Sequence, residues 1–454
     1  MRQLFGTDGI RGIAGTAPLD TTTVYAVGLA LAHQLRPAAL QSGLVGPLVI
    51  LGRDTRESSP WIANILAAGL RAGGAEVESA GIVPTPAIAY LAHTHGFHAG
   101  VVISASHNPW QDNGIKLFGP DGKKLPDQTE LAIEEVIFKH ALATTAPDVA
   151  TVPAIADQLH FADEYIASLL AAVPGLNLDG KKIVVDCANG AAAAIAPKLF
   201  ANLGGDVTLL NVTPDGRNIN DHCGALHPKT VAAEVVRHGA QLGITFDGDA
   251  DRCLLSGAGN NVINGDAILL MAARDLQARG MLTGNIVVAT TMSNMGLEAA
   301  LKRSGITMLR AGVGDRYVLE LMEQKRAALG GEQSGHILFP HLATTGDGML
   351  TALVVLDLLA RTGKTVEELT ADLKVFPQVI VNVKVREKRP LESIPAVADR
   401  IHAAEVELAD SGRVVIRYSG TEALARVMIE AESEDLMRHH AEAIADAIRA
   451  ELGT

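Results

Sequence analysis

Short apolar, β-branched runs recur along the chain: Leu48 to Leu51, Val101 to Ser104, Ile183 to Asp186, Leu242 to Phe246, Ile286 to Thr290 and Ile306 to Leu309. Runs of this length without alternation read as strands covered on both faces, and the helix-patterned stretches between them predict parallel α/β units. The order repeats. Three times a strand is followed by a helix, a strand introduced by Gly73-Gly74, Gly204-Gly205 or Ser304-Gly305, a second helix, and then a polar loop. The loops are Ser104 to Pro109, Asp247 to Arg252 and Gly331 to His336. Side-chain identity between the three stretches is slight, so the repeat is one of architecture. Loops beyond the carboxyl ends of such strands form ligand crevices, so three of them can serve one cleft.

The last part of the chain has a different pattern. Gln378 to Val385, Val414 to Ile416 and Ala425 to Glu430 read as strands, with helices near Ala396 to Val406 and Glu434 to Leu452. This predicts a smaller α+β domain. Ala141 to Ala156, rich in Ala, Thr and Pro, reads as a linker or long loop. Four domains are therefore expected, at 1–157, 158–257, 258–372 and 373–454.

Composition narrows the class. With 454 residues, 48% hydrophobic and 20% charged, the chain is too long for one core and too apolar for disorder. A net charge of -13 with no Lys/Arg-rich block argues against a nucleic-acid surface, so an anionic substrate would need locally concentrated arginines. Cys187, Cys223 and Cys253 form no CxxC pair and suit a reducing compartment. The chain meets Asp8 before any apolar run forms and holds no apolar stretch of about 18 residues. The expectation is a cytoplasmic protein without signal peptide or membrane span.

Asp247-Gly248-Asp249-Ala250-Asp251-Arg252 sets alternating carboxylates between small residues after an apolar strand, a pattern suited to a hard cation such as Mg²⁺. An EF-hand is excluded, because its sixth and twelfth positions would be Arg252 and Ala258. The alternatives are a solvated acidic turn and a phosphatase loop with Asp247 as nucleophile. Arg252 can meet a phosphate oxygen. Ser104-Ala105-Ser106-His107-Asn108-Pro109 offers Ser106 as a nucleophile, with a helix-capping turn as the alternative. Whether His107 reaches Ser106 is open at this level. Lys116 is a candidate general base or phosphate ligand, the alternative being a solvated lysine.

Gly331-Glu332-Gln333-Ser334-Gly335-His336 combines donors, acceptors and an imidazole between glycines, which suits sugar hydroxyls but also a plain turn. Arg417-Tyr418-Ser419-Gly420-Thr421-Glu422 with Arg426 reads as a phosphate cradle or as a polar hairpin. Phe5 to Gly12 carries Arg11 and reads as a second phosphate-facing loop or as a turn held by an Arg-Asp pair. Gly363-Lys364-Thr365 is no Walker loop, since position 358 is Leu.

Together and in this order, these motifs resemble the α-D-phosphohexomutase superfamily over nearly the whole chain. The branch acting on glucosamine phosphates is the most similar. That narrower likeness rests on Phe5 to Gly12, Asn218-Ile219-Asn220, Cys223-Gly224, His227-Pro228, Gln333, Val313 to Val318 and Thr344 to Gly348. The resemblance implies three similar mixed α/β domains and a smaller C-terminal α+β domain around a central cleft. It implies a phosphoserine at Ser106, with Ser106, Asp247, Asp249 and Asp251 holding Mg²⁺. Lys116, Arg11 and His107 would assist transfer, and Glu332, Ser334 and His336 would read the sugar. Arg417, Ser419, Gly420, Thr421, Arg426 and Arg252 would bind phosphate.

The implied reaction converts glucosamine 6-phosphate to glucosamine 1-phosphate and supplies UDP-N-acetylglucosamine. Glucosamine 1,6-bisphosphate, or glucose 1,6-bisphosphate, would be its intermediate or activator, and the protein would be a monomer or homodimer. Phosphomannomutase or phosphoglucomutase activity is the alternative. The chain departs from the pattern at Ala250, Ala311, Ala423 and Ala425, where Gly, Thr or Pro is usual at the first three.

Overall fold

The computed structural model describes residues 4–6, 8–139, 144–419 and 423–453. The chain forms two compact units, one of Met1–Met292 with Met308–Ala371 and one of Ser293–Thr307 with Asp372–Thr454.

Three sheets build the first unit, and they share one topology. In the first, Leu48–Arg53 lies between Glu76–Ile82 and Ala99–Ile103, parallel to both. In the second, Lys182–Asp186 lies between Asp206–Leu210 and Leu242–Phe246, again parallel. In the third, Ile286–Thr290 lies between Thr307–Ala311 and the short Gly330–Gly331, parallel to the latter. A return strand then pairs antiparallel with the last of each trio: Asp112–Phe118, Cys253–Gly257 and Ile337–Leu338. The sheets are thus mixed, as the family resemblance implies, with an antiparallel strand that the parallel α/β pattern does not reveal. The return strands escape a reading by pattern because Asn113 and Gly114 interrupt one, while another is two residues long.

This topology decides what the three polar loops are. Each connects the third strand to its antiparallel return, so each lies at a carboxyl end of the parallel trio. The helix-cap alternative for Ser106 fails, because its loop leads into a strand. The non-alternating runs are explained too: all five residues of Ala99–Ile103 and of Leu242–Phe246 are buried, as central strands covered on both faces require. Helix starts are satisfied by side chains. Asp20, Asn264 and Asp347 accept from Thr23, Ala267 and Leu350 N–H groups. Within the expected linker, only a turn at Val149–Thr151 is regular among the described residues, and Asn64 Oδ1 accepts from Ile155 N at 3.0 Å.

The second unit is a three-stranded antiparallel sheet with Leu424–Ala431 central between Gln378–Lys384 and Gly412–Tyr418. Helices Pro395–Leu408 and Glu434–Leu452 supply apolar residues to its core. Helix Met295–Arg303 also belongs here, although in chain order it falls within the third repeat. Asn294 explains this: its amide exchanges hydrogen bonds with both backbone groups of Phe376, at 2.9 and 3.1 Å. A Cβ on Gly296 would stand 1.8 Å from Lys374 O, so only glycine permits the approach. Among the described residues, no helix is long and apolar enough to cross a membrane.

Candidate active site

Ser106 is buried, and its Oγ donates to Asp247 Oδ2 at 2.6 Å. His107 Nδ1 lies 3.3 Å from the same oxygen, so the neighbouring imidazole does reach it. The serine sits at φ 53°, a left-handed conformation that must be held by its surroundings. Its N–H donates to Ser104 Oγ at 2.9 Å, and Ser104 Oγ donates to Asp54 Oδ2 at 2.7 Å. Two residues that sequence reading passed over as chemistry hold its carbonyl. Arg56 Nη2 donates to Ser106 O at 3.0 Å, and Asn220 Nδ2 does so at 2.9 Å.

Arg56 is the organising cation of this loop. Its side chain is wholly buried; Nε meets Asp54 Oδ2 at 2.8 Å, and its two Nη atoms reach the carbonyls of Ser106, Asn108, Pro109 and Asp112. The available signal was Asp54-Thr55-Arg56, a polar triplet shortly beyond the expected strand Leu48 to Leu51.

Asp247, Asp249 and Asp251 are all buried, with one carboxylate oxygen from each within 4.8 Å of the others. A solvated acidic turn is therefore excluded. Burial and the charges of Asp251 and Asp249 push Asp247 well above the usual carboxylate range. Thr85 Oγ1 donates to Asp249 Oδ2 at 2.6 Å, and Lys116 Nζ reaches that oxygen at 2.7 Å and Asp251 Oδ2 at 3.3 Å. Asp249 Oδ1 and Asp251 Oδ1 are buried without a hydrogen-bond partner. Three converging hard oxygen donors, two of them carrying unsatisfied atoms beside a hydroxyl, fit a divalent cation.

Ala250, where glycine is usual, has φ 54°, which accounts for the glycine preference there. Gly248 admits no side chain: its Cβ would fall 2.5 Å from Ser106 O and 2.9 Å from Asn220 Nδ2. Gly248→Ala is expected to lower kcat at least about tenfold by displacing Ser106 from the aspartates, with a smaller effect on KM. Steady-state kinetics on the folded variant, checked by thermal melting, tests this; unchanged kcat would refute the required approach.

Lys116 is not a solvated lysine. It lies on the return strand Asp112–Phe118, fully enclosed, and although burial opposes its charge, Asp249, Asp8 and Asp251 hold its pKa well above the usual value. It is thus a fixed ammonium rather than a ready base. Arg11 pairs with Asp8, as the turn alternative expected, and its Nη1 also approaches Asn108 Oδ1 at 3.5 Å while its Nε has no hydrogen-bond partner. Arg252 donates its backbone N–H to Asp247 Oδ1 at 3.2 Å, and its Nε is likewise unpartnered by hydrogen bond. Burial, then Arg252 and Arg11, push His107 down to about 4 and keep it neutral.

The third loop joins the same cluster. Cys253 N donates to Gly335 O at 3.0 Å, tying it to the metal loop. Glu332 Oε1 accepts from Gly314 N at 3.1 Å, and Ser334 Oγ donates to Glu332 Oε2 at 3.4 Å. His336 Nδ1 stands 3.7 Å from Asp251 Oδ1 and its Nε2 3.6 Å from Asp315 Oδ2. Burial disfavours its charge, yet Asp251, Asp315 and Glu332 lift its pKa to about 9. Gly346 packs against this imidazole, where a Cβ would lie 2.2 Å from Nε2.

In the C-terminal unit, Arg417 and Arg426 are directly paired across the two strands, and Ser419 N donates to Leu424 O at 2.8 Å. Gly420 and Thr421 lie outside the described residues. Ala425 keeps register between Val383 and Tyr418, and Ala423 O accepts from Val385 N at 2.9 Å. Lys388 Nζ, which sequence reading missed, donates to Ser419 O at 2.6 Å.

Comparison with known proteins matches the sequence to phosphoglucomutase/phosphomannomutase in four segments: alpha/beta/alpha domain I at residues 2–144, domain II at 163–259, domain III at 264–376 and the C-terminal domain at 380–447. A phosphoglucosamine mutase of Koribacter versatilis is 56% identical, covering 100% of this chain and 98% of the relative. One of Solibacter usitatus is 49% identical, covering 100% and 99%. A solved structure of a phosphoglucomutase/phosphomannomutase family protein from Burkholderia thailandensis superposes with a TM-score of 0.78 at 24% identity, over 99% of this chain and 98% of that one.

Proposed function

The chain belongs to the phosphoglucomutase/phosphomannomutase family, and from that premise we propose that it interconverts glucosamine 6-phosphate and glucosamine 1-phosphate through a phosphoserine at Ser106. One observation carries the reading. Ser106 Oγ is hydrogen-bonded to Asp247, and the loops and side chains around it hold buried atoms without hydrogen-bond partners: Asp249 Oδ1, Asp251 Oδ1, Arg11 Nε and Arg252 Nε. Such groups are rare in folded proteins unless a ligand completes them. Here the acceptors suit a cation and the donors suit phosphate and hydroxyl oxygens.

On this reading Asp247, Asp249, Asp251 and Ser106 hold Mg²⁺, which when bound neutralises charge on the transferring phosphoryl group. The chain's own residues supply the rest. Arg11, Arg252 and Lys116 present fixed positive charge to the phosphoryl oxygens, and stabilisation of that charge is the main lever in phosphoryl transfer. The phosphoserine P–Oγ bond breaks as a new P–O bond forms to the sugar hydroxyl, giving a 1,6-bisphosphate. The hydroxyl proton leaves to a basic group of the enzyme or to solvent. After the intermediate turns over, the other sugar P–O bond breaks as P–Oγ re-forms at Ser106, and the freed sugar oxygen takes up the proton given away in the first step. Glu332, Ser334 and His336 contact the sugar, while Arg417, Ser419 and Arg426 hold the phosphate that is not reacting. Four domains, at 1–157, 158–257, 258–372 and 373–454, carry these loops.

The names of the curated relatives favour glucosamine over mannose and glucose. The phosphatase alternative is disfavoured because both oxygens of Asp247 are engaged, by Ser106 Oγ and by Arg252 N. The test compares kcat/KM for glucosamine, glucose and mannose 6-phosphates with Mg²⁺ and the matching 1,6-bisphosphate. Preference for the glucosamine substrate is expected; preference for either other sugar overturns the assignment.

A further inference from the structure

The charged side chains around Asp251 close into a ring of alternating sign. Lys116 Nζ lies 3.3 Å from Asp251 and 3.2 Å from Asp8; Lys124 Nζ lies 2.5 Å from Asp8 and 2.8 Å from Asp315; His336 lies 3.6 Å from Asp315 and 3.7 Å from Asp251. The six residues come from stretches distant in the chain, and their side chains range from 1% to 26% exposed. Only Lys116, His336 and Asp251 have a place in the proposed reaction. Asp8, Lys124 and Asp315 complete the circuit on the side away from the metal loop.

We propose that Lys124 is a positioning residue: by bridging Asp8 and Asp315 it fixes the Lys116 ammonium and the His336 imidazole on either side of Asp251. This rests on the mutase reading and deepens it. Asp315 has two cationic neighbours and Asp8 has three. Asp8 serves Lys116 and Lys124, besides Arg11, and Asp315 serves Lys124 and His336. Without Lys124, Asp8 would be left to Arg11 and Lys116, and Asp315 to His336, so each largely buried carboxylate would shift toward its remaining cations. Lys116 and His336 would then lose their fixed positions beside Asp251. Lys124 itself touches none of Ser106 or the three metal-loop aspartates, so its effect passes through the groups it positions.

Lys123, the adjacent residue, is the natural control. It pairs with Glu323 in an exposed contact, which contributes little. The experiment measures kcat and KM for interconversion by the native protein, Lys124→Met, Lys124→Arg, Asp315→Asn and Lys123→Met. Lys124→Met is expected to lose at least about tenfold in kcat with KM changed less than about threefold, Lys124→Arg to recover most of it, and Lys123→Met to match the native protein. Combining Lys124→Met with Asp315→Asn should cost little more than either alone, as members of one linkage do. If Lys124→Met does not fold, Asp315→Asn carries the same expectation. Native kcat in Lys124→Met or Asp315→Asn, or losses that simply multiply, would overturn the proposal. Absence of turnover in the native protein would instead refute the mutase reading itself.

Discussion

Ser106→Ala is expected to lower mutase turnover by at least about 10³-fold while leaving the fold and the binding of sugar phosphate intact. The change deletes one oxygen, the atom that donates to Asp247 at 2.6 Å, and alanine tolerates the backbone at φ 53° no worse than serine does. Lys116 cannot substitute as carrier, because Asp249, Asp8 and Asp251 hold it as an ammonium. The assay follows glucosamine 1-phosphate formation together with phosphate release and incorporation of label into the protein. If Ser106→Ala turned over normally, or released phosphate with Asp247 as the nucleophile, the phosphoserine reading would be lost.

The second large effect is on stability. Arg56→Met is expected to destabilise the first unit by about 3–5 kcal/mol, because removing one partner from a buried ion pair leaves the other charge uncompensated. Asp54 would keep Ser59 Oγ and Ser104 Oγ as donors but lose its cation, and the carbonyls of Ser106, Asn108, Pro109 and Asp112 would lose a shared donor. Arg56→Lys should rescue little, since one ammonium cannot span the positions reached by a planar fork. Denaturant unfolding followed by circular dichroism gives the comparison. A midpoint equal to that of the native protein would show that the guanidinium does not hold this loop.

Arg56 also shows why part of the site is hidden from a reading by motif. A buried arginine is indistinguishable in sequence from a solvated one. Only the fold brings it to the carbonyl of Ser106, fifty positions along the chain. Asn220 reaches the same carbonyl from the loop after strand Asp206–Leu210, and Thr85 reaches Asp249 from the start of helix Thr85–Thr94. Asn220 was visible as part of a shared motif, but its role as a clamp was not.

The chain's pattern alone determined the order of the strands it revealed, because strands covered on both faces must be continuous in apolar residues. It likewise marked Ser106, the three aspartates and the Glu332 to His336 loop as candidates beside their cap and turn alternatives, and the resemblance to a known family, not the pattern, chose among these. The antiparallel return strands were decided by pairing, which accepts Asn113 and Gly114 because Gly12 and Arg11 stand opposite them in the neighbouring strand. The placement of helix Met295–Arg303 with the C-terminal unit was decided by Asn294 and Phe376, more than eighty residues apart. The charges that hold Lys116 and His336 in place were decided in the same way. Periodicity and local chemistry act between near neighbours and can be read along the chain. Burial and ion pairing act through space, so their partners appear only when the chain has folded.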